Sequence, residues 1–168
     1  MRILAVNNLA MIESINHIFQ TINHELPWVL WGAVIAIGGV FGSFLTCMLY
    51  RVPRKISLSN PPSYCPSCKE KLKGVDLIPV LSYVIFKGKC HYCKSPVSPR
   101  YMLIELLTII TCACAYIMTG PQVALVLSLV LAISWLFAIG LWVESRMVSS
   151  KVLLFSIIVL SVMPFVWR

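Results

Sequence analysis

Four cysteines are the residues of this chain best placed to do chemistry. They form two Cys-x-x-Cys pairs, Cys65/Cys68 and Cys90/Cys93, with 21 residues between the pairs. Each pair makes a tight turn that aims two sulfurs at one point, and two such turns complete the tetrahedral four-cysteine set of a structural zinc site. Four thiolates fill the coordination sphere and leave no position for water, so such a site staples a fold and does not catalyse. A redox dithiol, plain unligated thiols and an iron–sulfur site are the alternatives for the same residues. Either pair alone is a weak signal; the doubled spacing favours zinc. His91, between the last two cysteines, is expected to face solvent, and Cys47, Cys112 and Cys114 read as small buried hydrophobes inside apolar segments.

The elements that must position these cysteines are membrane helices. The 168 residues are 59% hydrophobic and 12% charged, with a mean hydropathy of +0.87. That charge share is about half of what a soluble domain carries. The composition implies an all-α integral membrane protein of about four transmembrane helices, with the cysteines in a zinc-ribbon-like loop. Residues 28–50 carry no charge, and residues 101–119 carry only Glu105. Gly120-Pro121 turns the chain into the uncharged stretch 121–143. Residues 152–167, bracketed by Lys151 and Arg168, are expected to be a fourth span. At 1.5 Å per residue this stretch is shorter than a ~30 Å core, so its flanking charges must snorkel.

Residues 1–27 lack the small-residue pattern of a cleavable signal. Their apolar positions Leu9, Ile12, Ile15, Phe19, Ile22 and Leu26 recur every three or four residues. This predicts an amphipathic helix that lies on the membrane surface, on a partner, or on the protein's own helices. Between the cysteine pairs, "VDLIPVLSYVIFKGK" predicts a short helix capped by Asp76, with Pro79 in its first turn and Gly88 at its end. It is too short to span and is expected in the cytoplasmic interface.

Charge sets the expected orientation. Residues 51–100 hold ten basic residues against Glu70 and Asp76, which equals the whole formal charge of +8. Basic loops stay in the cytoplasm. The cysteine loop and the 144–151 loop, with Arg146 and Lys151 against Glu144, are therefore placed inside, and the N-terminus, the 119–122 turn and Arg168 outside. A cytoplasmic address keeps thiols reduced and favours metal over disulfide. A basic zinc loop also suggests nucleic acid, but interleaved stacking aromatics are lacking. Anionic lipid is the nearer partner, and no nucleic-acid partner is expected.

"GSFLTCMLYRVPR", the two cysteine pairs around "IPVLS", and "KSPVSPRYMLIELLT" together resemble the N-terminal half of the type IV prepilin peptidases over about Gly42 to Thr108. The resemblance implies a bacterial cytoplasmic (inner) membrane enzyme of type IV pilus or type II secretion systems. Such an enzyme cleaves the leader from prepilins and pseudopilins, then N-methylates the new terminus with S-adenosylmethionine. It also implies two aspartates at the membrane border, one after the third span and one in a Gly-x-Gly-Asp motif. This chain has a single aspartate, Asp76, and no glycine after Gly140; at the first aspartate's place stands Glu144 in "LWVESRMVSSK".

An aspartic protease needs two close carboxylates sharing a proton, and a lone Glu144 beside Arg146 stays ionised. No catalytic residue is therefore assigned, and proteolysis is not expected. The chain also lacks a glycine-rich fingerprint for a Rossmann methyltransferase, whereas S-adenosylmethionine belongs to the reading only if the family's methylating activity is retained. Arg100 with Glu105 is a candidate polar pair at the membrane border, and Glu144 a third polar residue of interest. Three readings follow: a non-proteolytic accessory or structural subunit that docks other membrane subunits or pilin-like substrates, a partial or split prepilin-processing enzyme, and a structural subunit of an unrelated membrane complex.

Overall fold

The computed structural model describes residues 2–145 and Ile158. Among the described residues five α-helices follow in order: α1 Arg2–Glu25, α2 Pro27–Arg51, α3 Leu81–Ile85, α4 Pro99–Thr119 and α5 Val123–Ser145, with a single 3₁₀ turn at Gly74–Leu77. Among the described residues no strand forms beyond two isolated antiparallel bridges, Tyr64↔Lys71 and Lys89↔Pro96. Three described helices, α2, α4 and α5, are long and apolar enough to cross a membrane. The expected fourth span, 152–167, lies outside the described residues except for Ile158, as does most of the 144–151 loop.

The ends of these helices follow from local chemistry. Pro27 and Pro99 stand in the first turns of α2 and α4, where a missing N–H costs nothing. The Ser98 hydroxyl accepts from the N–H of Arg100 to cap α4. Gly120, at φ 72°, takes a positive-φ conformation open to glycine and ends α4 before the turn into α5. Inside the apolar helices the hydroxyls of Thr46, Thr108, Thr111 and Thr119 donate to carbonyls three or four residues back. No polar hydrogen is stranded at those positions.

The helix pair α2/α4 forms the centre of the molecule, and α5 packs mainly on α4. The close approach is set by glycine. A Cβ at Gly38 would stand 2.8 Å from the Cα of Ile109, and one at Gly42 2.9 Å from the Cα of Glu105. Small residues four apart let membrane helices touch backbone to backbone, where dispersion takes over from the hydrophobic effect. Thr108 and Cys112, the most fully buried side chains, lie on the α4 face of this seam.

The N-terminal helix resolves one expectation. It packs on the protein's own helices through Phe19 and Ile22. The Asn23 side chain accepts from the Tyr116 hydroxyl (2.7 Å) and the Asn16 side chain from the N–H of Val123 (2.8 Å). Of the periodic stripe, Phe19 and Ile22 are used within the chain, while Ile12, Ile15 and Leu26 are exposed.

A candidate metal centre beside a cavity

Residues 52–98 are all described, and only Cys65 and Cys90 among them are buried. The loop has no hydrophobic core; what it has is two knuckles of the same construction. In the first, the N–H of Cys65 donates to Glu70, that of Lys69 to Cys65, and that of Leu72 to Ser63. In the second, Cys90 donates to Ser95, Lys94 to Cys90, and Val97 to Gly88. Lys69 and Lys94, at φ 61° and 60°, occupy the matching left-handed positions.

The knuckles face each other. The sulfurs of Cys65, Cys68, Cys90 and Cys93 all lie within 4.8 Å of one another, the only such group of potential metal ligands found among the described residues. A tetrahedral zinc thiolate, with Zn–S about 2.3 Å, requires sulfur separations of about 3.8 Å; Cys65 and Cys93 stand at 3.9 Å. The donor set fits a four-coordinate metal ion closed to water.

The protons on these sulfurs are unevenly held. The N–H groups of Cys68 and Ser67 turn toward the Cys65 sulfur and, against the opposing effect of burial, lower its thiol to about 6. At Cys68 the N–H of Glu70 pulls downward, but burial and the sulfurs of Cys93 and Cys65 together push the thiol up to about 11. The Ser95 hydroxyl and N–H lower Cys93. The knuckles thus stabilise the first negative charges, and a cation must displace the last protons.

Asp76 ties the inter-knuckle segment to the second knuckle. Its carboxylate accepts from the N–H of Lys73 (2.8 Å), the Tyr92 hydroxyl (3.0 Å) and the His91 ring (3.2 Å). Burial pushes this acid up, but the Lys73 N–H, Tyr92 and His91 outweigh it and hold it below the ordinary aspartate value. His91 is exposed, as expected, and its ring also stacks on Phe86, centroids 4.5 Å apart. Asp76 does cap a turn, but the predicted helix is divided: the 3₁₀ turn ends at Leu77, Val80 takes φ 60°, and only Leu81–Ile85 are α-helical.

The border carboxylates are partnered differently from the expected Arg100–Glu105 pair. Glu105 is buried in the α2/α4 seam, and its carboxylate accepts the N–H of Val80 at 2.7 Å. Arg100 instead pairs with Glu144, which also faces Arg54 at 3.5 Å. Arg54 stacks on the Tyr50 ring at 4.3 Å. The correction has a geometric reason: Arg100 and Glu105 are five residues apart on α4 and point to different sides, whereas the end of α5 comes up beside Arg100. Arg51, which sequence reasoning passed over as a loop charge, is buried and donates to the carbonyls of Ser57 (2.6 Å) and Leu58 (3.3 Å). Its signal was its place at the end of an uncharged helix, followed by a Pro-containing turn.

Between the knuckles and the helix ends lies a cavity of about 480 Å³, within the size range of small-molecule sites. Thr46, Arg51, Tyr83, Cys65, His91 and Glu105 are among the residues lining it.

Residues 36–119, half of the chain, match the family model described as Bacterial Peptidase A24 N-terminal domain. A prepilin leader peptidase/N-methyltransferase of Klebsiella pneumoniae is 37% identical over 109 residues, covering 61% of this chain and 48% of the relative. A type 4 prepilin-like proteins leader peptide-processing enzyme of Escherichia coli is 33% identical over 143 residues, covering 72% of this chain and 50% of the relative. A prepilin leader peptidase/N-methyltransferase of Aeromonas hydrophila is 30% identical over 109 residues, covering 51% and 38%. The chain thus spans half or less of the length of these relatives. No solved structure matches.

Proposed function

The chain belongs to the family of the Bacterial Peptidase A24 N-terminal domain, and from that premise we propose that it is a prepilin-peptidase-like protein of the bacterial inner membrane that acts without proteolysis. In this reading it is an accessory or structural subunit, and a zinc ion held by Cys65, Cys68, Cys90 and Cys93 keeps its cytoplasmic loop in shape for docking pilin-like substrates or other membrane subunits. The positive charge of that loop supports a cytoplasmic placement, with the N-terminus on the other side.

The observation that carries the reading is the engagement of the two polar-face acids. Asp76 is spent on Lys73, Tyr92 and His91. Glu144 is paired with Arg100 and Arg54. A carboxylate between two guanidinium groups is a poor proton carrier, and proteolysis by paired acids needs two carboxylates that share one.

A second reading, a partial or split leader peptidase/N-methyltransferase, is favoured by the cavity under the metal loop together with the half-length match to enzymes of that name. S-adenosylmethionine would enter only there.

Purified chain in nanodiscs, incubated with a prepilin and radiolabelled S-adenosylmethionine, separates the readings. The accessory role predicts intact leader and no methyl transfer, with a fixed-stoichiometry complex seen by native mass spectrometry from the source membrane. Leader removal that is abolished by Glu144→Gln would overturn it. Methyl incorporation into a pre-cleaved pilin would establish the second reading.

A further inference from the structure

Residues 74–86 carry one charge, that of Asp76, and are bracketed by Lys71 and Lys73 on one side and Lys87 and Lys89 on the other. The structure does not lay this stretch flat across the helix ends. Pro79 is pressed against α2 at Gly39, where a Cβ would stand 3.2 Å from the proline ring. Gly39 is twelve positions, or about 18 Å, from Arg51 along α2. Glu105, which holds Val80, is about 9 Å inside the start of α4 at Pro99. Half of a ~30 Å hydrocarbon core is about 15 Å. With the ends of α2 and α4 at the headgroups, the tip of the segment would lie at acyl-chain depth beside two helices long and apolar enough to cross the membrane.

We infer that residues 77–85 form a re-entrant segment whose outer face, Leu81, Val84 and Ile85, lies against the acyl chains of the leaflet on the cysteine-loop side. Non-helical backbone survives at that depth only if its polar groups are satisfied within the protein, and the N–H groups around the turn have partners there. Pro79 has no N–H; Val80 donates to Glu105; Ser82, Val84 and Phe86 donate to the carbonyls of Ile78, Val80 and Ser82. The side chains divide accordingly. Ser82 and Tyr83 line the cavity, while Leu81, Val84 and Ile85 are 57%, 63% and 56% exposed. At the same level the membrane helices also expose apolar side chains, Val40 and Phe44 on α2 and Leu106 and Ile110 on α4. The outer face thus continues a surface that already meets lipid. The paired lysines at either end hold the segment's exits at the headgroups. Glu105 is a positioning residue: it supplies the acceptor that lets the turn at Val80 leave water.

The test is photo-cross-linking of the full chain in phosphatidylcholine/phosphatidylglycerol nanodiscs, with p-benzoylphenylalanine placed singly at Leu81, Val84 or, as a water-exposed control, Glu70. Metal content confirms that each variant keeps its loop. Phospholipid-mass adducts at 81 and 84, with none at 70, are the expected result. Probes at 81 and 84 that give no lipid adduct, or that link two protein chains instead, would overturn the insertion. Adding Glu105→Ala should reduce the adduct at 84 several-fold, and Glu105→Gln, which keeps an acceptor oxygen, should restore it. An unchanged yield in Glu105→Ala would remove Glu105 from the inference.

Discussion

The helix pair α2/α4 and the cysteine loop achieve order by opposite means. In the pair, Gly38 and Gly42 let backbone meet backbone, and the buried residues are ordinary helix side chains such as Val34, Leu45 and Thr108. In the loop, 47 residues bury two cysteines and nothing else. A segment of that size without a core cannot offset the conformational entropy of ordering it. The difference teaches that one region rests on shape whereas the other needs a cross-link such as a metal at its four cysteines would supply, so each should fail independently of the other.

Cys90→Ser is the most severe way to separate them, since structural zinc in small peptides contributes on the order of 10 kcal/mol to folding. The expected outcome is loss of bound metal by elemental analysis and rapid protease cleavage within 52–98, with helical circular dichroism nearly unchanged. Metal retained at one ion per chain would refute the four-cysteine assignment.

Metal affinity should also depend on pH in a direction the thiols dictate. Each ligand binds as thiolate, so protons compete with the ion. Cys68, pushed up to about 11, keeps its proton at neutral pH, and Cys65, lowered to about 6, regains its proton below that value. Affinity therefore rises with pH and falls on acidification, roughly tenfold per pH unit for each proton displaced. Competition with a chromophoric chelator across about pH 6–8 reads this directly. The α2/α4 contact should show no comparable change.

The converse break is Gly42→Val. Its new Cβ meets the backbone of Glu105, which cannot swing aside as a side chain could. Overpacking of this kind costs about 1–3 kcal/mol, visible as a lower thermal midpoint in micelles while the metal remains bound. Gly32, with nothing within 4 Å of an added Cβ, sharpens the contrast: Gly32→Ala should be neutral or stabilising by about 0.5–1 kcal/mol. A large loss there would mean that glycine is needed in α2 for some reason other than the seam.

Both regions were legible in part. The four ligand candidates and the three described apolar helices follow from spacing and run length, which are one-dimensional quantities. The inter-knuckle helix was half right: Asp76 caps and Gly88 ends a structured segment, but Val80 at positive φ divides it. Propensity argues against Val in that conformation, and the break is intelligible only once the Glu105 carboxylate is seen to accept the Val80 N–H. The Gly38/Gly42 spacing was present as a helix-contact signal, yet it does not say which helix it meets.

Sequence alone therefore determined that this protein crosses a membrane, that its positive charge is concentrated in one loop, and that four sulfurs gather there. Each of these depends on the identity of residues near one another along the chain. Tertiary structure decided the rest: Arg100 pairs with Glu144 on another helix, Glu105 holds a backbone N–H in place of a cation, and Pro79 rests on Gly39. Those contacts join residues dozens of positions apart, and the angle at which helices meet, which no local pattern encodes, selects among the partners that charge alone would allow.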